Sequence, residues 1–178
     1  MGSKNLRPIA SSGVRHAGVT RPRGVSAREK GFDVALFGKK KRRIVRVLIV
    51  EDEPLVAFDT EHFLTDEGFE IHATVDRVAA AIAHLEDDQA AIDLVLLDVQ
   101  LADGSGIDVA QVASSGGIAA LFVTGNCPGE AKEFAAGCLA KPYAQRDLLQ
   151  AICAIEDVLE GRAPKRLPSG FSLFGETA

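Results

Sequence analysis

Between residues 46 and 161 the chain repeats one pattern: a short apolar run, a polar break, then apolar residues at helical spacing. Arg46–Val50 (RVLIV) stops abruptly at Glu51-Asp52-Glu53-Pro54, and such runs are typical of strands buried on both faces. Pro54 suits the start of a helix, where its missing N–H is no loss. Val56, Ala57, Thr60, Phe63 and Leu64 then form a helical stripe that ends at Gly68. Phe69–Val75 predicts a second strand, and Asp76 the cap of a helix carrying Val78, Ala81, Ile82 and Leu85 on one face. Ile92–Leu97 predicts a third strand that ends on Asp98, followed by a loop at Asp103-Gly104-Ser105-Gly106 and a helix from Ile107 to Ala113. A fourth strand, Ala119–Val123, leads into Thr124-Gly125, and a short helix follows Pro128. Leu139-Ala140 makes a short fifth strand before Lys141-Pro142. The last helix, Arg146–Glu160, turns Leu148, Leu149, Ile152, Ile155 and Leu159 inward and is closed by Gly161. Residues 163–178 hold two prolines and two glycines without periodicity and read as a loose tail.

Strand and helix alternating five times imply a parallel sheet with helices on both faces. The fold class is α/β: a doubly wound (βα)5, flavodoxin-like sheet in the order 2-1-3-4-5. Ligands of such sheets sit beyond the carboxyl ends of the strands. There the sequence puts Glu51 and Asp52 after strand one, Asp98 after strand three, Thr124 after strand four and Lys141 after strand five.

Charge divides the chain. Residues 1–43 carry twelve Lys/Arg and two acids, a net of +10, and residues 44–178 a net of −15. The first segment is too rich in Arg, Gly, Ser and Pro to offset its ordering entropy. It reads as a mostly disordered basic extension ahead of a domain at 44–162, with one short helix predicted after the capping box Ser26-x-x-Glu29. An Arg-rich, acid-poor N-terminus also fits an organelle transit peptide. No apolar run approaches the roughly 18 residues of a membrane span, so the expectation is a soluble, cytoplasmic protein. Cys127, Cys138 and Cys153 are an odd number in no metal-ligand spacing. That argues against a disulfide framework or zinc ribbon and for a reducing compartment. Cys138 is expected to be a small buried hydrophobe, and His62 and His84 solvated helix positions.

Three converging carboxylates repel unless a cation lies among them. Oxygen donors with open positions suit Mg²⁺, which keeps its waters and pairs with phosphate oxygens. Asp98 is then a candidate nucleophile for phosphoryl transfer, with Mg²⁺ and Lys141 stabilising charge on the transferred oxygens.

Four segments carry a resemblance. Val47-Leu48-Ile49-Val50-Glu51-Asp52-Glu53-Pro54, Leu97-Asp98-Val99-Gln100-Leu101 with Asp103-Gly104-Ser105-Gly106, Phe122-Val123-Thr124-Gly125 and Leu139-Ala140-Lys141-Pro142 resemble the receiver (CheY-like) domain of two-component response regulators. The resemblance spans about residues 45–161. It implies a phosphoacceptor at Asp98, served by a histidine kinase or a histidine phosphotransfer protein. It implies Mg²⁺ held by Glu51, Asp52, Asp98 and the main-chain carbonyl of Gln100. Thr124 and Lys141 would contact the phosphoryl oxygens, while Gln100 and Asn126 match positions that tune hydrolysis of the acyl phosphate. Output would pass through the face of the fourth helix, fifth strand and last helix, to a protein partner or a second copy in a homodimer.

This sequence departs from the family at Ala102, where Pro is frequent, and at Cys138, where many receivers have a switch aromatic. Tyr143 is the alternative switch candidate. Residues 122–125 also resemble a Phe-Ala-Thr-Gly variant found in a subset of receivers. With no DNA-binding or enzymatic domain after residue 161, the reading is a single-domain regulator and not a classical enzyme. The alternative is a receiver fold acting as a scaffold without phosphorylation.

Overall fold

The computed structural model describes residues 42–174. Expectations for residues 1–41, including the short helix and most of the basic extension, lie outside the described residues. The five predicted strands are β1 (Arg46–Val50), β2 (Glu70–Val75), β3 (Leu94–Leu97), β6 (Ala119–Thr124) and β7 (Gly137–Ala140). Between them lie α1 (Pro54–Asp66), α2 (Val78–Leu85), α3 (Gly106–Ser115) and α4 (Ala131–Phe134), and α5 (Gln145–Leu159) follows β7. The predicted 103–106 loop is instead a ribbon, β4 (Gln100–Leu101) paired with β5 (Gly104–Ser105).

The main sheet runs β2-β1-β3-β6-β7-β8, and its first five strands are parallel. That is the expected 2-1-3-4-5 order with a sixth strand added. The addition, β8 (Phe171–Leu173), pairs antiparallel to β7, so the tail read as loose is tied to the sheet. Gly137 makes room for it. A Cβ there would stand 2.6 Å from the Phe171 ring.

Alternation along the strands divides the core in two. Val47, Ile49, Leu96, Leu121, Val123 and Leu139 face α1 and α5, and Phe171 joins them. Leu48, Val50, Val95, Leu97 and Phe122 face α2, α3 and α4, with Phe174 beside them. Each such side chain contributes about 1.5–3 kcal/mol by leaving water. On α5, Leu148, Ile152 and Ile155 are buried as expected, whereas Leu159 is exposed. Arg42 and Arg43 already belong to the folded body. The Arg42 guanidinium lies 4.2 Å from the centre of the Phe69 ring, and buried Glu156 accepts hydrogen bonds from the main-chain N–H groups of Arg43 and Ile44.

Two local expectations change. Asp76 does not cap α2. Arg77 holds the cap position, and the Val78 N–H donates to the Asp103 carboxylate at 2.9 Å. That bond holds the Asp103 pKa below the usual carboxylate range. His84 is not fully solvated either, because its Nδ1 lies 3.1 Å from Nε2 of His72.

Candidate phosphoryl-acceptor site

Two main-chain bonds help bring the candidate residues to one end of the sheet. Val50 pairs with Leu97, so Glu51 and Asp98 leave neighbouring strands side by side, and the Asp98 N–H donates to the Val50 carbonyl at 3.1 Å. Thr124 pairs with Ala140, and the Lys141 N–H donates to the Thr124 carbonyl at 2.8 Å. The Lys141–Pro142 peptide bond is cis.

Lys141 sits at the centre of this arrangement. Its Nζ donates to Glu51 Oε2 at 2.8 Å and to Asp98 Oδ2 at 2.7 Å. The side chains are 20% exposed for Lys141, 7% for Glu51 and 13% for Asp98, so these ion pairs are shielded from solvent screening. The other oxygens of the two acids are also engaged. Glu51 Oε1 accepts from the Glu53 N–H at 3.3 Å, and Asp98 Oδ1 from the Gln100 N–H at 3.2 Å. Burial pushes the Glu51 pKa up, against the opposing pull of Lys141. Burial alone would lower the pKa of Lys141, but its bonds to Asp98 and Glu51 outweigh that and raise it.

Asp52 is half-buried on the turn between β1 and α1. Among the described residues no three acidic, histidine or cysteine side chains are gathered around a common cation position; the Lys141 ammonium lies between Glu51 and Asp98 instead. The chemistry of Glu51, Asp52 and Asp98, though not gathered around one point, is of the kind magnesium takes. The donors are hard oxygens, the three carboxylates exceed the single ammonium in charge, and a cation relieves the penalty on a buried acid. Gln100 and Asn126 are exposed at the rim, whereas Thr124 is buried at 4% exposure.

Tyr143 is placed inward. Burial raises its phenol pKa, partly opposed by the Thr60 side chain on α1. It lines a 340 Å³ cleft between α1 and α5 with Val56, Phe63, Pro142 and Leu148. Cys138 is fully buried on β7, as expected of a small hydrophobe, but it is not a thiol. It is joined to Cys127 in a disulfide, with the two Cα atoms 6.2 Å apart. The odd cysteine count argues against a disulfide framework, and the structure has this one bridge among the described residues.

The sequence reading places Gly106 in a loop and gives it no role of its own. A Cβ on it would stand 2.0 Å from the main-chain oxygen of Asp98, so only glycine lets α3 start this close to the candidate nucleophile. The helix start is capped by Ser105 Oγ, which accepts from the Ile107 N–H at 3.2 Å. A glycine immediately before a helix, eight residues past a strand-end acid, was the available signal.

A flavodoxin-like sheet with a lysine-bridged acid pair beyond its carboxyl edge defines a class of signalling domain. The comparisons name it: the response regulator receiver domain profile matches residues 47–153, more than half of the chain, and the chain belongs to that family. It is 37% identical over 115 residues to the transcriptional regulatory protein PdtaR of Mycobacterium tuberculosis, covering 60% of this chain and 54% of that protein. It is 36% identical over 115 residues to the sensory transduction protein RegX3 of the same organism, covering 61% and 49%. The chain thus spans about half the length of these curated relatives. A CheY-like receiver from Methanospirillum hungatei JF-1 superposes with a TM-score of 0.59 at 28% identity, covering 66% of this chain and 98% of that one. A response regulator receiver from Sinorhizobium medicae WSM419 gives 0.57 at 27%, covering 65% and 96%. Members of the family are signalling phosphoacceptor domains of two-component systems, not classical enzymes. Among the described residues no helix is long and apolar enough to cross a membrane.

Proposed function

We propose that the chain is a cytoplasmic phosphoacceptor that receives a phosphoryl group on Asp98 from the phosphohistidine of a histidine kinase or phosphotransfer protein. The observation that supports this most is the Lys141 ammonium held 2.7 Å from Asp98 Oδ2 and 2.8 Å from Glu51 Oε2 at the sheet's carboxyl edge. A carboxylate oxygen of Asp98 attacks phosphorus, the P–N bond of the donor breaks, and an acyl phosphate forms. Lys141 then exchanges its bond to Asp98 for one to a phosphoryl oxygen without leaving the site. The Thr124 hydroxyl is the candidate second contact. Magnesium, when bound, would be held by Glu51, Asp52, Asp98 and the Gln100 carbonyl, and would offset charge on the phosphoryl oxygens. Gln100 and Asn126, both exposed, would govern water access to the acyl phosphate. Output passes through the face of α4, β7 and α5, to a protein partner or a second copy.

Incubation with a small acyl-phosphate donor and Mg²⁺, followed by intact mass, tests the reading. One alkali-labile phosphoryl adduct per chain is expected, dependent on Mg²⁺ and absent from Asp98→Asn, whose amide cannot serve as the nucleophile. A normal adduct on Asp98→Asn would refute the assignment.

A further inference from the structure

The Cys127–Cys138 disulfide spans the two segments that lead into the site. Cys127 lies three residues after Thr124, and Cys138 three residues before Lys141. Cys138 is fully buried on β7 opposite Phe122. Cys127 lies in the turn between β6 and α4, half-exposed and beside the exposed residues Gly125, Asn126, Gly129 and Glu130. The bridge thus fastens a solvent-facing turn to the sheet and closes a loop that contains α4, a helix of 4 residues. Cys127 is the partly exposed end of the bridge and Cys138 the fully buried one. That asymmetry suits a bridge that opens and closes, because exchange needs an accessible sulfur to attack and a resolving partner behind it.

We propose that Cys127 and Cys138 form a reversible redox site that sets the freedom of the turn after Thr124 and, resting on the phosphoacceptor reading above, the rate at which Asp98 is phosphorylated. The oxidant class is a hydroperoxide. The Cys127 thiolate attacks the peroxide oxygen, the O–O bond breaks, and a sulfenic acid forms as alcohol or water leaves. The Cys138 thiol then attacks Cys127 Sγ, forming the S–S bond and releasing water. In total two thiols lose two electrons and two protons. The reductant class is a dithiol. One of its thiolates attacks Cys127 Sγ and expels the Cys138 thiolate, and its second thiol resolves the mixed disulfide. With the bridge closed, the turn is held to β7 and Thr124 adjusts less readily to an arriving phosphoryl group. With it open, the turn moves on its own.

The test uses the full chain in dithiothreitol buffers of graded oxidation, with alkylation and peptide mapping to separate Cys153 from the pair. Cys127 and Cys138 are expected to pass together between alkylated and bridged states under native conditions. Amide exchange over residues 125–130 is expected to slow by at least about tenfold on oxidation, since a disulfide restrains local opening of the loop it closes. Adduct formation on Asp98 is expected to be slower in the oxidised form. Cys127→Ser should abolish all three responses. Cys138→Ala provides the second variant, where loss of a buried group could compromise folding. The proposal is overturned if both thiols are alkylated under every oxidising condition. It is equally overturned if the bridge persists in excess dithiothreitol, or opens without changing exchange over 125–130. If neither form accepts a phosphoryl group, the phosphoacceptor reading fails, while thiol trapping and exchange still decide the redox site.

Discussion

Replacing Gly106 with alanine puts a methyl carbon 2.0 Å from the Asp98 main-chain oxygen and 2.9 Å from Leu97 Cδ1, where ordinary contact begins near 3.4 Å. The oxygen belongs to backbone at the end of a buried strand and cannot swing aside as a flexible side chain would. Either α3 or the end of β3 must move by more than an ångström. Overpacking of this kind costs about 1–3 kcal/mol. Gly106 is the first residue of α3, where the helix-propensity gain of an interior position does not apply, so the net loss of stability stays at about 1–3 kcal/mol. The effect on chemistry is larger. A misplacement of about 1 Å in a reacting group costs up to about 100-fold in rate, more than the stability change alone could produce. Urea unfolding gives the first quantity, and an intact-mass time course with an acyl-phosphate donor gives the second, at a urea-free temperature where the variant stays folded. Gly116→Ala, at the far end of α3, is the control, because its added Cβ meets nothing closer than 3.5 Å. A Gly106→Ala protein that unfolds within about 0.5 kcal/mol of wild type, the range of inert surface changes, and phosphorylates at the same rate would refute the close-approach argument.

Asp52→Ala should weaken Mg²⁺ binding and phosphorylation together, and unchanged affinity in a magnesium titration would remove Asp52 from the proposed ligand set. Burial raises the Glu51 pKa, so its contribution to stability is fully present below the unfolded glutamate pKa and is lost as pH rises through the folded value. Lys141, also raised, keeps its contribution across that window. Denaturation of wild type and Glu51→Gln at a series of pH values should therefore show wild type losing ground to the variant from acid to neutral pH; parallel curves would contradict the shift. Phe171→Ala removes a ring that is 8% exposed from the end of the sheet and should cost about 3 kcal/mol, read by urea midpoint; a change under about 0.5 kcal/mol would show that β8 adds nothing to the fold.

The parallel strands were legible because each is a short apolar run with an abrupt polar end, and buried strands leave that trace. Glu51, Asp98, Thr124 and Lys141 were legible for the same reason: each sits where such a run stops. What escaped depends on contacts between segments distant in sequence. Phe171–Leu173 has too few residues for a period, and its strand identity comes from the free edge of β7 and the gap over Gly137. Asp103 looked like an ordinary turn acid, since its partner, the Val78 N–H, lies 25 residues earlier. The cysteine pair was hidden by counting. Three cysteines argue against a disulfide framework, but residue 138 on β7 and residue 127 beyond the end of adjacent β6 are near neighbours once the strand order is known.

The family match stops at residue 153, yet the folded body does not. A fragment trimmed to residues 47–153 would lose Glu156, the acceptor for the Arg43 and Ile44 N–H groups, together with Phe171 and Phe174. It would also bare the outer edge of β7, with the groove over Gly137 that the Phe171 ring fills. An uncovered strand of that kind is a template for pairing with another chain. Such a fragment would be prone to associate edge to edge, and the resulting dimers and larger species would owe their existence to the trimming, with no bearing on signalling.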